Sequence, residues 1–361
     1  MPHANRIGLW LACLLAGCLL AGGAWAQRVE GDIARAQGLY QAEVRVNSQN
    51  EAERRTGFSR GLAQVLAKLS GDSDITNRPG VARELRRAGD YVEHFDYRQD
   101  EGRSATGAPT FHTTLVLRFD QDAVDGMTAA LGLPVWPEPR AKPVLWLAID
   151  DGSGPRLVTV NQNNAVRPVL DRARERGFGL GLPRGSAAEQ AAAGAIWRGD
   201  HAAVARLSAR YSPPMQLVGK LYRHEGGWRS DWTMVDNGRV LDEWSHQDSN
   251  VRVAMAAGAN GAADALARRY AKATETGPAG SYRVTFTGIA SSSDYIRLSG
   301  YLQGMSVVQG MTPLRATPTG LEMELDLLTG LPGFRQLADE SVLVEQEMLL
   351  DTGAPIYRLV H

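Results

Sequence analysis

Hydrophobic and polar positions change their period several times along the chain, and two stretches, 134–143 and 274–281, interrupt the pattern. Four prolines in the first stretch remove backbone donors that a helix or a central strand needs. The segments on either side mix strands of period two with helical apolar stripes. The pattern therefore predicts an α+β protein built from three small α/β units, at 27–135, 140–275 and 280–361.

The pattern of the first unit predicts the element order β-α-α-β-β-α. This order is a β-α-β-β-α layer with one additional short helix. Its long helix ends at Gly71, and Ser48 with Glu51 forms a capping box that would begin it. Gly57 and Gly61 stand one turn apart in this helix. Because each glycine costs about 1 kcal/mol relative to alanine, we expect the helix backbone to pack closely on its neighbours there.

The middle unit begins with an almost continuous apolar run that ends at Asp150, which is typical of a strand covered on both faces. Residues 178–182 predict a second, short strand. An antiparallel meander follows over 215–246, where Asn237-Gly238 between alternating runs predicts a two-residue hairpin. A long Ala-rich helix after the meander would complete an α/β sandwich.

The last unit has the pattern β-α-β-β-α-β, which is the ferredoxin-like order. Its final strand, at 356–360, is predicted to lie on the edge of the sheet. The first unit partly repeats this order, which leaves open a degenerate internal repeat.

The first 26 residues predict an export signal. Arg6 precedes an apolar run, and the segment closes on Ala-Trp-Ala at 24–26, the pattern that a secretory signal peptidase cuts. The same stretch contains Leu-Ala-Gly-Cys at 15–18, a lipobox in which Cys18 would be acylated and tether the protein to a membrane. Cleavage after Ala26 would place the protein in the periplasm, and the alternative would make it an outer-membrane lipoprotein.

Composition excludes several kinds of chemistry. Removing Arg6 with the leader from the 39 basic residues leaves 38 against 40 acidic residues, and this balance does not favour nucleic acid. Both cysteines, Cys13 and Cys18, lie in the leader, so a chain cleaved after Ala26 would have no thiol nucleophile, disulfide or Cys-ligated zinc. Beyond the leader, no apolar stretch approaches the ~18 to 20 residues that cross a bilayer.

Motifs that resemble reactive or cofactor sites depart from the pattern their chemistry requires. Ser73 stands in a Gly-Asp-Ser triplet, but it follows a helix, so a helix-ending turn is the main interpretation and catalysis the alternative. Gly177-x-Gly179-x-Gly181 precedes Leu182-Pro183, where a dinucleotide loop needs a helix N-terminus. The mature histidines show no metal-ligand spacing. We therefore expect no cofactor, no metal ion and no catalytic residue.

Asp150 and Asp151 end the buried strand, at the position where open α/β sheets place ligands. No carboxylate or histidine partner can be tied to them from the sequence. A polar turn is therefore the main interpretation, and a binding position the alternative.

Tryptophans give the other candidate site. Trp228 and Trp232 share one strand face because side chains alternate with period two. In one interpretation, this face is buried against the Ala-rich helix. In the other, the row, extended by Tyr222 and Trp244, is exposed and binds a glycan or a partner strand.

Several stretches resemble a bacterial family. Residues 39–44, together with 54–71 and its Leu-Ala-x-Val-Leu-x-Lys-Leu-Ser-Gly core, are similar to domain of unknown function 2066, and 144–152, 217–244 and 292–295 are similar to that family's layout. The resemblance covers most of the mature chain. It implies an envelope location and supplies no catalytic residue.

These observations together predict a non-catalytic periplasmic protein that binds other envelope proteins, or peptidoglycan or another glycan. One alternative is a glycan-binding module that uses the tryptophan hairpin. Another is a hydrolase that acts on an envelope polymer or ester through residues not recognisable in the sequence.

Overall fold

The computed structural model describes residues 38–103, 108–211, 215–273, 276–318, 320–346 and 354–360. The predicted leader, with Cys18, lies outside them. The helices are α1 Glu51–Ser70, α2 Val81–Arg86, α3 Gln121–Ala130, α4 Arg167–Glu175, α5 Ala187–Gln190, α6 Ala192–Arg198, α7 His201–Ser208, α8 Val251–Tyr270, α9 Ser292–Gly304 and α10 Gly330–Leu337. The α+β class is thereby confirmed.

Within the described ranges the strands form four sheets, and their bounds mostly extend the predicted runs. They are β1 Gln41–Val46, β2 Val92–Arg103, β3 Pro109–Phe119, β4 Pro134–Val135, β5 Val144–Asp150, β6 Arg156–Leu157, β7 Met215–His224, β8 Gly227–Asp236, β9 Arg239–Asp248, β10 Lys272–Ala273, β11 Gly280–Thr287, β12 Val308–Thr317, β13 Gly320–Leu327, β14 Leu343–Gln346 and β15 Ile356–Leu359.

The first unit is an antiparallel sheet of order β1-β3-β2 with α1 packed on β1 and β3. The predicted capping box is wrong, because Asn50 and not Ser48 caps α1, accepting a hydrogen bond from the N–H of Glu53 at 2.8 Å. Asn50 is also followed three residues later by a glutamate, so two overlapping cap patterns compete in the sequence. Gly71 ends the helix as predicted, in the left-handed conformation.

Two glycines let α1 approach the sheet. A Cβ atom at Gly57 would lie 2.5 Å from Leu115 Cδ2, and one at Gly61 would lie 2.3 Å from Leu117 Cδ1. Both separations are far below van der Waals contact. The close packing predicted for this helix is confirmed.

The middle unit has three layers around a sheet of order β6-β5-β7-β8-β9, in which β5 and β7 are parallel. One core lies between the sheet and α4 with α8, and a second lies between the opposite face and α6 with α7. The Asn237-Gly238 hairpin is confirmed, with φ values of 50° and 77°. Residues 178–182 do not form the predicted strand: Gly181 makes an isolated bridge to Val144.

The last unit contains one strand more than the predicted ferredoxin-like order. Its sheet has the order β12-β13-β11-β15-β14, so the final strand lies inside the sheet and not on its edge. The short strand β14 follows α10 and forms the edge. The prediction was wrong here because β14 has only two apolar residues in its four-residue run.

The first and last units share a strand order and a core. The order β1-β3-β2 corresponds to β11-β13-β12, which is what an internal repeat predicts, and buried residues of both units belong to one apolar cluster. Thr329, just before α10, donates its hydroxyl to the carbonyl of Ala130 at 2.5 Å. β4 pairs with β10, so the chain enters and leaves the middle unit side by side.

Arg140 joins the first unit to the middle unit. Its side chain is 1% exposed and donates to the carbonyl oxygens of Lys68 at 2.7 Å, Leu69 at 3.2 Å, Trp136 at 2.8 Å and Gly177 at 2.8 Å. Lys68 and Leu69 end α1, so the cation also stands at the negative end of a helix dipole. Burial lowers the pKa of Arg140 to about 10, and the group stays charged at neutral pH.

Arg176 makes a second connection between the same units. It is buried and donates to the carbonyl of Gly71 at 2.9 Å and to Oδ1 of Asp264, on α8, at 2.6 Å. The two arginines fix how α1 faces α4 and α8, and this arrangement leaves a groove between the units.

Candidate functional site

The tryptophan row belongs mainly to the interior. Trp232 is 1% exposed, and its ring lies between β7 and α8. A Cβ atom at Gly219 would stand 2.2 Å from this ring, and one at Gly258 would stand 2.5 Å from it. Trp244 is half-buried and donates its Nε1–H to the carbonyl of Ala257 at 3.0 Å. An exposed row that includes Trp232 is therefore wrong, because two glycines shape the space that its ring fills.

Trp228 is half-buried at one end of this face, where the guanidinium of Arg223 lies 4.1 Å from its ring centre. A cation over the ring occupies the surface that a sugar would need. Among the three tryptophans of the row, none presents a free, fully exposed ring.

Tyr222 lies on the other face of the sheet, apart from the tryptophan row with which it was grouped. Its ring stands 5.9 Å from that of Trp197, and its hydroxyl donates to Oδ2 of Asp231 at 2.9 Å. Burial, then this hydrogen bond, raise the pKa of Tyr222. Asp231 also accepts from Arg229 and Ser245, so both oxygens of this carboxylate already accept hydrogen bonds.

Asp150 and Asp151 are held by the turn that they begin. Asp150 Oδ1 accepts from the N–H groups of Gly152 at 2.8 Å and Gly154 at 3.0 Å, and Asp151 pairs with Arg156 at 2.7 Å. These contacts agree with the main interpretation, a polar turn. Neither carboxylate meets the tryptophan row.

The remaining motifs also have local explanations. Ser73 follows the helix-ending Gly71, as the turn interpretation predicts, and Asp72 beside it pairs with Arg78 at 2.9 Å. Gly177 has a φ of 80°, and a Cβ atom there would lie 2.4 Å from Arg140 Nη1. Within the described ranges, no group of three or more histidine, cysteine or acidic residues could hold a metal ion.

An exposed aromatic surface lies along β2, the edge strand of the first sheet. We call it the aromatic edge and define it by Phe58, Phe95, Tyr97 and Phe111. Phe95 is 39% exposed and Phe111 is 66% exposed. The rings of Phe58 and Phe95 meet edge to face at 5.4 Å, and those of Phe95 and Tyr97 at 6.1 Å.

The aromatic edge combines two features that favour binding. α1 packs mainly on β1 and β3 and reaches β2 through Phe58 and Arg54, whose guanidinium lies 5.5 Å from the ring centre of Phe95, so this ring stays only partly open. β2 is 12 residues long, and its outer side has no partner strand among the described strands. A long free edge with exposed apolar side chains is a typical template for another chain.

A second surface is a groove of about 1150 Å³ between the first and middle units, which we call the β1 groove. It is bounded on one side by β1, the C-terminal half of α1 and parts of β2 and β3, and on the other side by α4 with part of α8. Its volume exceeds the ~300 to 1,000 Å³ of ordinary small-ligand pockets.

Sequence reasoning missed both surfaces. The alternation of Phe95 and Tyr97, with Phe111 on the neighbouring strand, signals an apolar face, but the sequence does not show that α1 covers it only in part. The β1 groove has no local signal, because its two walls are far apart in the chain and meet through Arg140 and Arg176.

Comparison with known proteins adds one match. A family model described as Domain of unknown function (DUF8605) matches residues 34–137. This region contains every described helix and strand of the first unit, from β1 to β4. No curated protein and no solved structure matches the chain. The resemblance to domain of unknown function 2066, a different family, stays a prediction.

No helix of the described ranges combines the length and apolar character needed to cross a membrane.

Proposed function

We propose that this chain is an exported protein of the bacterial envelope that acts by binding another protein, without catalysis. The leader in the sequence supports export. The aromatic edge is the observation that supports binding, since Phe111, on β3 opposite Glu101 of the edge strand β2, is exposed to water. Apolar exposure of this kind has an unfavourable hydration cost that a partner would remove.

The site geometry weighs against the glycan-binding alternative and against Asp150 and Asp151 as a binding position. Trp232 is buried, which removes the centre of the tryptophan hairpin as a glycan site. The carboxylates of Asp150 and Asp151 are bonded within their own turn. A hydrolase would be revealed by turnover on peptidoglycan or ester substrates that is lost on changing one acidic or serine residue.

The binding proposal predicts a partner that depends on Phe111. Mature protein would be used to capture proteins from envelope extracts, with quantification by mass spectrometry, in parallel with Phe111→Ser and Ile296→Ser. Ile296 is the matched control, because it is 69% exposed on α9. We expect wild type and Ile296→Ser to recover the same partner. We expect Phe111→Ser to bind this partner about tenfold more weakly, which corresponds to about 1.4 kcal/mol of binding free energy.

Both variants change an exposed side chain, so neither should disturb folding by more than about 0.5 kcal/mol. Equal recovery with Phe111→Ser, or no reproducible partner, would contradict binding through the aromatic edge.

Export predicts a defined N-terminus. The intact mass of protein purified from the native envelope should correspond to a chain that begins at Gln27, after cleavage at Ala26. A mass corresponding to a chain that begins with an acylated Cys18 would assign the lipoprotein alternative. An uncleaved chain among cytosolic fractions would exclude export.

A further inference from the structure

The shared strand order of the first and last units allows their sheets to be compared, strand by strand, over the described residues. In the last unit, β11 pairs with β13 on one side and, on its other side, in parallel with β15 through Thr285–Ile356, Phe286–Tyr357 and Thr287–Arg358. In the first unit, the equivalent strand β1 pairs with β3, and among the described strands none lies on its other side. No described residue occupies the position corresponding to β15, and this position faces the β1 groove.

Backbone polar groups of β1 point into this groove. The carbonyl of Gln41 accepts from Lys68 Nζ at 2.7 Å, and the carbonyl of Glu43 accepts from Gln64 Nε2 at 3.4 Å. Because alternate residues of a strand direct their N–H and C=O groups to the same side, Arg45 also faces the groove. Long side chains of α1 thus cover two edge carbonyls, and a partner strand could replace these contacts.

Charge in the groove favours an acidic occupant. Each carboxylate of its lining is within ion-pair distance of an arginine, in the pairs Glu43–Arg98, Asp100–Arg98, Asp171–Arg174, Glu175–Arg172 and Asp264–Arg176. Arg45 and Lys68 have no carboxylate partner among the described residues. Arg98 pairs with two of the five carboxylates, and Lys68 is near Glu43 and Glu175, so the four paired arginines together with Arg45 and Lys68 exceed the carboxylates by one positive charge.

Arg172 gives an independent indication from the α4 side. Its Nε atom is shielded from solvent and has no hydrogen-bond acceptor within the described part of the chain. A shielded donor without an acceptor is destabilising. An occupant with carboxylate or carbonyl oxygens could supply the missing acceptor.

We propose that the β1 groove binds an extended, acidic segment of a partner protein, which pairs in parallel with β1 as β15 pairs with β11. Backbone hydrogen bonds to β1 would give affinity, and acidic side chains near Arg45 and Lys68 would give selectivity. This surface is separate from the aromatic edge on β2, so the two proposals can fail independently.

The test uses the full mature protein and two fluorescent ten-residue peptides, one of alternating Thr and Glu and one of alternating Thr and Lys. Binding is followed by anisotropy at low and high salt. We expect the acidic peptide to bind, with weakening as salt rises, and the basic peptide not to bind. Arg45→Ala should weaken binding of the acidic peptide about tenfold through loss of the charge-assisted contact.

Arg45→Pro tests strand pairing itself. The Arg45 N–H faces the groove and makes no ladder bond, so proline at this edge position should leave the β1–β3 pairing intact. It removes both the charge and a backbone donor, and we expect binding to fall below that of Arg45→Ala. Arg118→Ala is the matched control, because Arg118 is exposed on β3 outside the groove lining.

Three results would overturn the proposal. They are equal binding of both peptides, unchanged binding in Arg45→Pro, and binding that appears only when residues 27–37 are removed, which would make the chain's own segment the occupant. Failure of the acidic peptide alongside Phe111-dependent capture would reject this inference and leave the proposed function standing.

Discussion

Replacing Arg140 with methionine is expected to lower the free energy of unfolding by about 1 to 3 kcal/mol for each buried carbonyl that it leaves without a donor. Arg140 is 1% exposed, and its guanidinium donates hydrogen bonds to four carbonyl oxygens. Two of these carbonyls belong to α1, one to the linker between the first and middle units, and one to the loop after α4. Methionine has a similar length and no donor, so these acceptors would lose a hydrogen bond in a site that water does not reach. The measurement is urea unfolding followed by circular dichroism.

The same variant should also uncouple the first and middle units. Arg140 contacts Lys68 in the first unit and Gly177 in the middle unit. Because its loss would remove this connection, we expect the two units to unfold in two separate transitions and not in one cooperative transition. Arg118→Met, which changes an exposed arginine of the same unit, should shift stability by less than about 0.5 kcal/mol. A loss below about 1 kcal/mol at Arg140 would show that the carbonyls find other donors.

Replacing Trp232 with alanine is expected to cost about 3 to 5 kcal/mol of stability. The indole fills a space between β7 and α8 whose walls are Gly219 and Gly258, so no neighbouring side chain can move in to fill the cavity. Thermal unfolding and near-ultraviolet circular dichroism would measure the loss of stability and of ordered aromatic packing.

Trp228→Ala is the matched comparison for Trp232. Trp228 is half-buried and packs against the aliphatic and guanidinium groups of Arg223, so we expect a loss of about 1 kcal/mol. In acrylamide quenching, Trp232→Ala should remove a protected component of the fluorescence. A small stability effect at Trp232, or ready access of acrylamide to it, would restore the exposed-row interpretation.

Local patterns in the sequence predicted the elements whose stability is itself local. The apolar stripe of α1 with its Gly71 end, and the Asn237-Gly238 turn between β8 and β9, depend on contacts within a few residues. The capping prediction failed at Ser48 because Asn50 offers the same chemistry two residues later. The strand prediction for residues 178–182 was wrong because Phe178 lies in a loop and packs against Trp136, with 6.1 Å between the two ring centres.

By itself, the sequence determined the α+β class, the positions of most helices and strands, and the polar turn at Asp150, since backbone preference and hydrophobic period act over short distances. Only the tertiary structure decided that Trp232 is buried, that β15 lies inside its sheet, and that the first and last units share a core. It also created the aromatic edge and the β1 groove. Those features depend on which distant segments meet, and the free energy of such contacts is not encoded in any single local stretch.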